Sequence, residues 1–234
     1  TFVYPDLCSG KKHPKDFHSH MILSTKNSFV DEVNSLLIDR FPGHPVEYFS
    51  RDETANENEQ ATYEDLINAL CPPGMPPHKL VLKEKCSIIL LRNLDPTEGL
   101  CNGTRLVCGK LEKNIIQATI SSGDYAGKQV LLHRIPLKPP SNMQVPVSFK
   151  RTQFPIRLCF AMTNNKSQGQ TLDRVGIYLK EPVFSHGQLY VALSRAKSSS
   201  QVRVLIQSLD HRSEAGQCTT NIVYKQILAA CRRP

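Results

Sequence analysis

Arg157-Leu158-Cys159-Phe160-Ala161-Met162 is an apolar run, Thr163-Asn164-Asn165-Lys166-Ser167-Gln168-Gly169-Gln170-Thr171 a polar turn, and Val175-Gly176-Ile177-Tyr178-Leu179 a second apolar run. The two apolar runs read as strands, each short and rich in β-formers. Between them, Thr and Ser hydroxyls, the Lys166 ammonium and the backbone N–H groups around Gly169 form a donor-rich turn suited to an anion such as a phosphate. Gly169 would let the backbone approach such a ligand closely. On spacing alone, an ordinary polar connection is an equally good reading.

Toward the C-terminus, Ser185-His186-Gly187-Gln188 resembles a capping box, and a helix over Gly187 to Arg195 follows. Gln188, Ala192 and Arg195 then share one stripe and Leu189 and Leu193 another. Arg195 would be aimed by that helix, either as a cation at a helix C-terminus or as a guanidinium clamping a phosphate. A strand over Val202 to Ile206 and a terminal helix from about Ile222 to Cys231 complete this part. Toward the N-terminus, Met21 to Ser24 reads as a strand. Asn27 caps a helix to Phe41 with Phe29, Val33, Leu36, Leu37 and Phe41 inward, and Pro42-Gly43 stops it. Val46 to Phe49 is a strand, followed by an acidic, Asn-rich loop. Thr62 caps a short helix that ends before Pro72-Pro73. Leu80 to Leu82 and Ser87 to Leu91 are strands, the second continuously apolar as if covered on both faces.

Strands alternating with helices predict an α/β sheet. From Thr104 to Phe154 the alternation stops. Four β-rich runs, Thr104 to Cys108, Ile115 to Ile120, Gln129 to Arg134 and Val145 to Phe149, are separated by Gly123, Gly127 and Pro136 to Pro140, with no amphipathic helix between them. That pattern predicts a small antiparallel β-barrel inserted into the α/β unit. The domain expectation is a connector over 1–20, the α/β domain over 21–103 and 155–234, and the barrel over 104–154.

The chain has 234 residues, 40% hydrophobic and 21% charged, which excludes a wholly disordered protein. The formal net charge is +8, which favours a polyanionic partner. The charge is unevenly placed. Asn27 to Asp65 holds ten acidic and two basic residues, whereas Lys150 to Arg203 holds nine basic and two acidic. No apolar run approaches the roughly 18 residues of a membrane span, so no membrane role is expected. The eight cysteines are scattered without a CxxC pair, which favours reduced thiols in an intracellular setting. His13, His18 and His20 lack a matching Cys/His group at zinc spacing, and no metal site is expected.

Four ordered segments together resemble the second motor half of Pif1-like superfamily 1 DNA helicases. They are Ile22-Leu23-Ser24-Thr25-Lys26-Asn27 with Val30 to Asn34; Leu91 to Asp95 with Leu100 to Leu106; Lys166-Ser167-Gln168-Gly169-Gln170-Thr171; and Tyr190-Val191-Ala192-Leu193-Ser194-Arg195. The wording of the last two is most similar to the branch carried by Helitron-type transposons. The resemblance implies a RecA-like, P-loop-NTPase-type fold for the α/β part, without a P-loop of its own, and an SH3-like 2B barrel for the insert. It implies that Thr163, Asn165, Lys166 and Ser167, with Thr25 and Lys26, face single-stranded DNA. It places Gln168, Gly169 and Gln188 near the nucleotide and makes Arg195 an arginine finger, a class of residue that contributes about 10³ to 10⁵ in rate. Many relatives carry His at the position of Asn165.

The family's cofactors are ATP and Mg²⁺, its partners single-stranded DNA, single-strand/duplex junctions and the first RecA-like domain of the same protein, and its setting the nucleus, with the mitochondrion as alternative. No segment of this sequence matches GxxxxGK[ST]. The expectation is therefore the C-terminal part of an ATP-dependent, 5′-to-3′ DNA helicase, inactive alone because the ATP-holding half lies elsewhere. The competing expectation is a catalytically inert single-stranded nucleic-acid-binding piece, or an SH3-like interaction module.

Overall fold

The computed structural model describes residues 2–5, 7, 19–141, 143, 145–207 and 218–226. In chain order the strands and helices are β1 (His20–Ser24), α1 (Asn27–Arg40), β2 (Val46–Phe49), β3 (Arg51–Thr54), α2 (Gln60–Ala69), β4 (Lys79–Leu82), β5 (Ser87–Leu90), β6 (Arg105–Leu111), β7 (Ile115–Ile120), β8 (Gln129–His133), β9 (Ile135–Leu137), β10 (Phe149–Gln153), β11 (Ile156–Leu158), β12 (Ala161–Thr163), β13 (Arg174–Leu179), α3 (Gln188–Leu193) and β14 (Val202–Ile206). Most of the expected connector, and the end of the expected terminal helix, lie outside the described residues. The chain divides into two units. One contains Ser19–Asp39 with the described residues of Thr1–Leu7 and Phe160–Pro234, and the other contains Arg40–Cys159.

The first unit is built on a parallel sheet in the order β12-β1-β13-β14. Strands β12, β1 and β13 are buried runs, as a covered parallel sheet requires, with Met21, Leu23, Ala161, Met162, Val175, Ile177 and Leu179 almost inaccessible, whereas the edge strand β14 leaves Val204 and Leu205 exposed. Gly176 in β13 has a packing reason, since a Cβ there would lie 2.6 Å from a Val3 methyl. Helix α1 runs nearly as its sequence predicts, but its buried stripe is Phe29, Val30, Asn34, Leu37 and Ile38, and Leu36 is 52% exposed. Asn34 explains the difference. Its Oδ1 accepts from the backbone N–H groups of Phe160 (3.0 Å) and Ala161 (2.9 Å), and its Nδ2 donates to the Ala161 carbonyl (3.3 Å). A polar side chain on the inner face thus pins the entry to β12, which no hydrophobic periodicity could register.

The second unit is antiparallel. It holds a five-stranded sheet β11-β5-β6-β7-β8, a three-stranded sheet β3-β10-β9 and the pair β2-β4. Strand β5 corrects the reading of its apolar run. It is buried, but as the antiparallel partner of β6 and β11, not as part of the parallel sheet. Strands of the 104–154 segment are shared between two sheets, and each sheet is completed by strands outside that segment, β5 and β11 in one and β3 in the other. The expected boundaries at 104 and 154 therefore do not coincide with the division at Arg40 and Cys159.

Strand β3 lies in what reads as an acidic loop. It is charged because it carries Asp52, which is buried against Arg151 of β10. Arg151 is fully buried. It donates to both Asp52 oxygens (2.6 to 3.0 Å) and to the carbonyls of Ile67 (2.8 Å), Leu70 (2.9 Å) and Pro76 (3.1 Å), joining α2 and its exit to the sheet. A buried charge is tolerable only when so fully bonded. Thr62 does not cap α2. The helix starts at Gln60, whose side chain accepts from the Thr54 N–H (2.8 Å) and donates to the Asp52 carbonyl (2.9 Å), occupying the edge of β3. Cys86, Cys108 and Cys159 are buried thiols, and the hydrogen bond with Cys86, together with burial, pushes the Cys108 thiol up; Cys71, on the surface, accepts from the Arg157 guanidinium (2.6 Å).

Candidate functional site

Because β1, β12 and β13 are parallel, their carboxyl ends lie on one side of the sheet. Ser24, Thr163 and Tyr178 are level across the ladder, and the Ser24 hydroxyl donates to the Tyr178 carbonyl (2.9 Å). Thr25-Lys26, Asn164 to Ser167 and Lys180-Glu181 therefore leave the sheet along a single edge. Open α/β sheets bind their ligands outside this edge. Two side-chain atoms at the edge, Thr25 Oγ1 and Asn164 Oδ1, are buried without a hydrogen-bond partner. Unpaired buried polar atoms are uncommon in folded chains and mark a polar site.

The turn after β12 is a short 3-10 segment, Asn164–Ser167, in which the Gln168 N–H donates to the Asn165 carbonyl (3.3 Å) and the Gln170 N–H to the Ser167 carbonyl (3.1 Å). Gly169 has φ +80°, with nothing within 4 Å of a would-be Cβ, so conformation and not crowding calls for glycine. Asn165, Lys166, Gln168 and Gly169 are exposed and Thr163 is half-buried. Ser167 is fully buried, its hydroxyl donating to the Asn164 carbonyl (2.7 Å), so it is internal support for the turn and not part of its outer surface.

Helix α3 is shorter than predicted, and its N-cap is Gly187, not a Ser185–Gln188 box. Gln188 is buried, with Oε1 accepting from the Phe184 N–H (3.1 Å), which leaves it a structural tie in this arrangement. Arg195 lies just past the helix end. Its Nε donates to the Val191 carbonyl (2.9 Å), its Nη1 to the carbonyls of Gln170 (3.0 Å) and Ser167 (3.4 Å), and its Nη2 to the Ser194 hydroxyl (2.9 Å). The backbone adds a second tie, from the Leu172 N–H to the Arg195 carbonyl (2.9 Å). The donor-rich turn and the arginine, far apart in sequence, are thus one assembly.

The edge is less positive than its sequence implies. Lys26 pairs with Glu181, Lys180 with Glu32 (2.8 Å) and Lys197 with Asp173 (2.8 Å). The Lys26 and Lys180 ammoniums both lie over the Phe29 ring, at 5.6 and 5.5 Å. The hydrogen bond to Glu32 raises the Lys180 pKa, and those from Lys197 and Ser19 hold the Asp173 carboxyl below its ordinary value. Lys150 and Arg151, counted in the basic segment, belong to the second unit and pair with Glu53 (2.6 Å) and Asp52. Asn164, Lys180 and Glu181 were not foreseen. Adjacency to a strand end could have flagged Lys180, but nothing in the sequence marks Asn164 as buried. Among the described residues no group of three His, Cys, Asp or Glu side chains is arranged to hold a metal ion.

Comparison with known proteins gives this geometry a family. Residues 65–111 match the model of the DNA helicase Pif1 2B domain. An ATP-dependent DNA helicase PIF1 from Xenopus laevis is 32% identical over 186 residues, 78% of this chain. The chain is Pif1-like. The human ATP-dependent DNA helicase PIF1 is 31% identical over 200 residues, again 78% of the Pif1-like chain. The chain spans only 27% and 26% of the length of these relatives. A crystal structure of a Bacteroides Pif1 helicase in complex with ADP-AlF3 and ssDNA superposes with a TM-score of 0.65 at 21% identity, covering 97% of this chain and 48% of that one. The Candida albicans Pif1 helicase structure gives 0.64 at 23% identity, covering 99% and 51%. These superpositions show that the chain shares its mixed α/β fold with those structures.

Proposed function

We propose that this chain supplies the second motor portion of an ATP-dependent DNA helicase that moves 5′ to 3′ on single-stranded DNA and unwinds duplexes at junctions. The observation that carries the reading is the assembly at the carboxyl edge of the parallel sheet, where the Thr163 to Thr171 turn and Arg195 are hydrogen-bonded together. The PIF1 relatives are named ATP-dependent DNA helicases, and Bacteroides Pif1 has been crystallised with ssDNA at 25% identity and a TM-score of 0.60. Thr163, Asn165 and Lys166 would contact the strand, with Thr25 and Lys26 beside them and Gln168 and Gly169 toward the nucleotide. Contacts of this kind are made to the backbone and weaken with salt.

ATP and Mg²⁺ would be held by the first RecA-like domain of the same protein, since this sequence has no phosphate-binding loop and its described residues offer no metal cluster. From this chain Arg195 would reach the γ-phosphate as an arginine finger. Unit two would be the inserted domain with its SH3-like barrel, a reading supported by the 2B match over residues 65–111. We infer a nuclear setting from the proposed DNA substrate, with the mitochondrion as the alternative.

The test is a fusion to a compatible first motor domain, assayed for DNA-stimulated ATP hydrolysis. Arg195→Ala should lower the rate by about 10³ or more. Activity left intact by that substitution would remove the finger assignment.

A further inference from the structure

An arginine has five N–H donors, and Arg195 spends four of its contacts on its own chain: the carbonyls of Val191, Ser167 and Gln170 and the Ser194 hydroxyl. Two of these acceptors, the Ser167 and Gln170 carbonyls, lie on either side of Gln168-Gly169, where Gly169 has φ +80°. The Gln168 and Gln170 amides are satisfied only within the turn, and the Leu172 amide only by the Arg195 carbonyl. The guanidinium therefore ties the middle of the turn to the end of α3, beside the backbone bond from Leu172 to Arg195 and the Asn164 bond to the Gln188 carbonyl.

We propose that Arg195 is a positioning residue for the DNA-facing turn: its guanidinium, docked through Nη1 on the Ser167 and Gln170 carbonyls, fixes the geometry in which Thr163, Asn165 and Lys166 meet single-stranded DNA. The inference rests on the helicase reading and gives Arg195 a role on the DNA side of the site.

The test uses the chain alone, without nucleotide. Arg195→Ala and Arg195→Lys are compared with the parent for hydrogen exchange at the Gln168, Gln170 and Leu172 amides and for affinity to an oligo-dT strand by fluorescence anisotropy, with thermal melting as the fold control. Lysine keeps the charge but, with one nitrogen in place of three, cannot meet the Val191, Ser167 and Gln170 carbonyls and the Ser194 hydroxyl together. Both variants should speed exchange at these amides by about tenfold or more and weaken oligo-dT binding by about tenfold, with the exchange of β1 and β13 amides unchanged. Unchanged exchange in the turn overturns the proposal, and so does full oligo-dT affinity in the lysine variant, which would reduce the role to charge. Faster exchange with unaltered oligo-dT affinity overturns the link to DNA. If the parent chain fails to bind oligo-dT at all, the link between Arg195 and DNA is overturned, while the exchange result decides whether Arg195 holds the turn and the fusion assay decides the helicase reading.

Discussion

Arg151 and Asp52 show how a single pair can organise a unit. Both are buried, and Arg151 alone meets the carboxylate and three carbonyls. Removing Arg151 leaves the buried Asp52 carboxylate with only the Ser50 hydroxyl (2.6 Å) and the His78 ring (3.7 Å) beside it, so Arg151→Ala should destabilise the second unit by about 3 to 5 kcal/mol in urea unfolding. Replacing Lys79, whose ion pair with Glu47 is half exposed, should change stability by less than about 1 kcal/mol in the same assay. Asp173 supplies a pH dependence. Its carboxyl is held below the ordinary value by Lys197 and Ser19, so its contribution is present above the unfolded carboxylate pKa near 4 and is lost as pH falls through the lowered folded value. Asp173→Asn should therefore reduce stability at neutral pH and flatten that part of the acid limb, as followed by thermal melts between pH 7 and pH 2.

At the scale of elements, Gln60 acts as a short substitute strand, meeting one N–H and one C=O on the edge of β3. Gln60→Ala should cost about 1 to 2 kcal/mol and expose a pairing edge, seen as concentration-dependent light scattering. This contact also shows what sequence could not disclose. Strands β1 and β13 and helix α1 were legible because each buries an apolar stripe or run at its own period, and β14 through its apolar, β-branched composition although Val204 and Leu205 are exposed. Strand β3 was not, since its inward residue is a charge whose partner is 99 positions away. The continuous apolar run of β5 was legible as a buried strand but not as an antiparallel one, because burial fixes the composition of a strand and not the direction of its neighbours. In the candidate site, the turn and Arg195 were each visible as donors. Their hydrogen bonds to one another were not, because they run to backbone carbonyls, which carry no sequence signature.

For the whole molecule, the net charge of +8 overstates the positive surface on offer. Of the nine cations between Lys150 and Arg203, Lys150, Arg151, Lys180 and Lys197 are in ion pairs and Arg195 is on carbonyls. Nine phosphate contacts would give a log–log salt slope of about −6 for single strands, whereas the pairing seen here should hold it no steeper than about −3 when oligo-dT binding is titrated with salt. The thiols add a practical consequence. Cys71 is at the surface, whereas Cys86, Cys108 and Cys159 are sealed inside the second unit. A maleimide dye should attach to Cys71 within the native protein and reach the sealed three only when that unit opens. Timed labelling followed by mass spectrometry thus turns the native cysteines into a clock for the opening of one unit, with no engineered reporter.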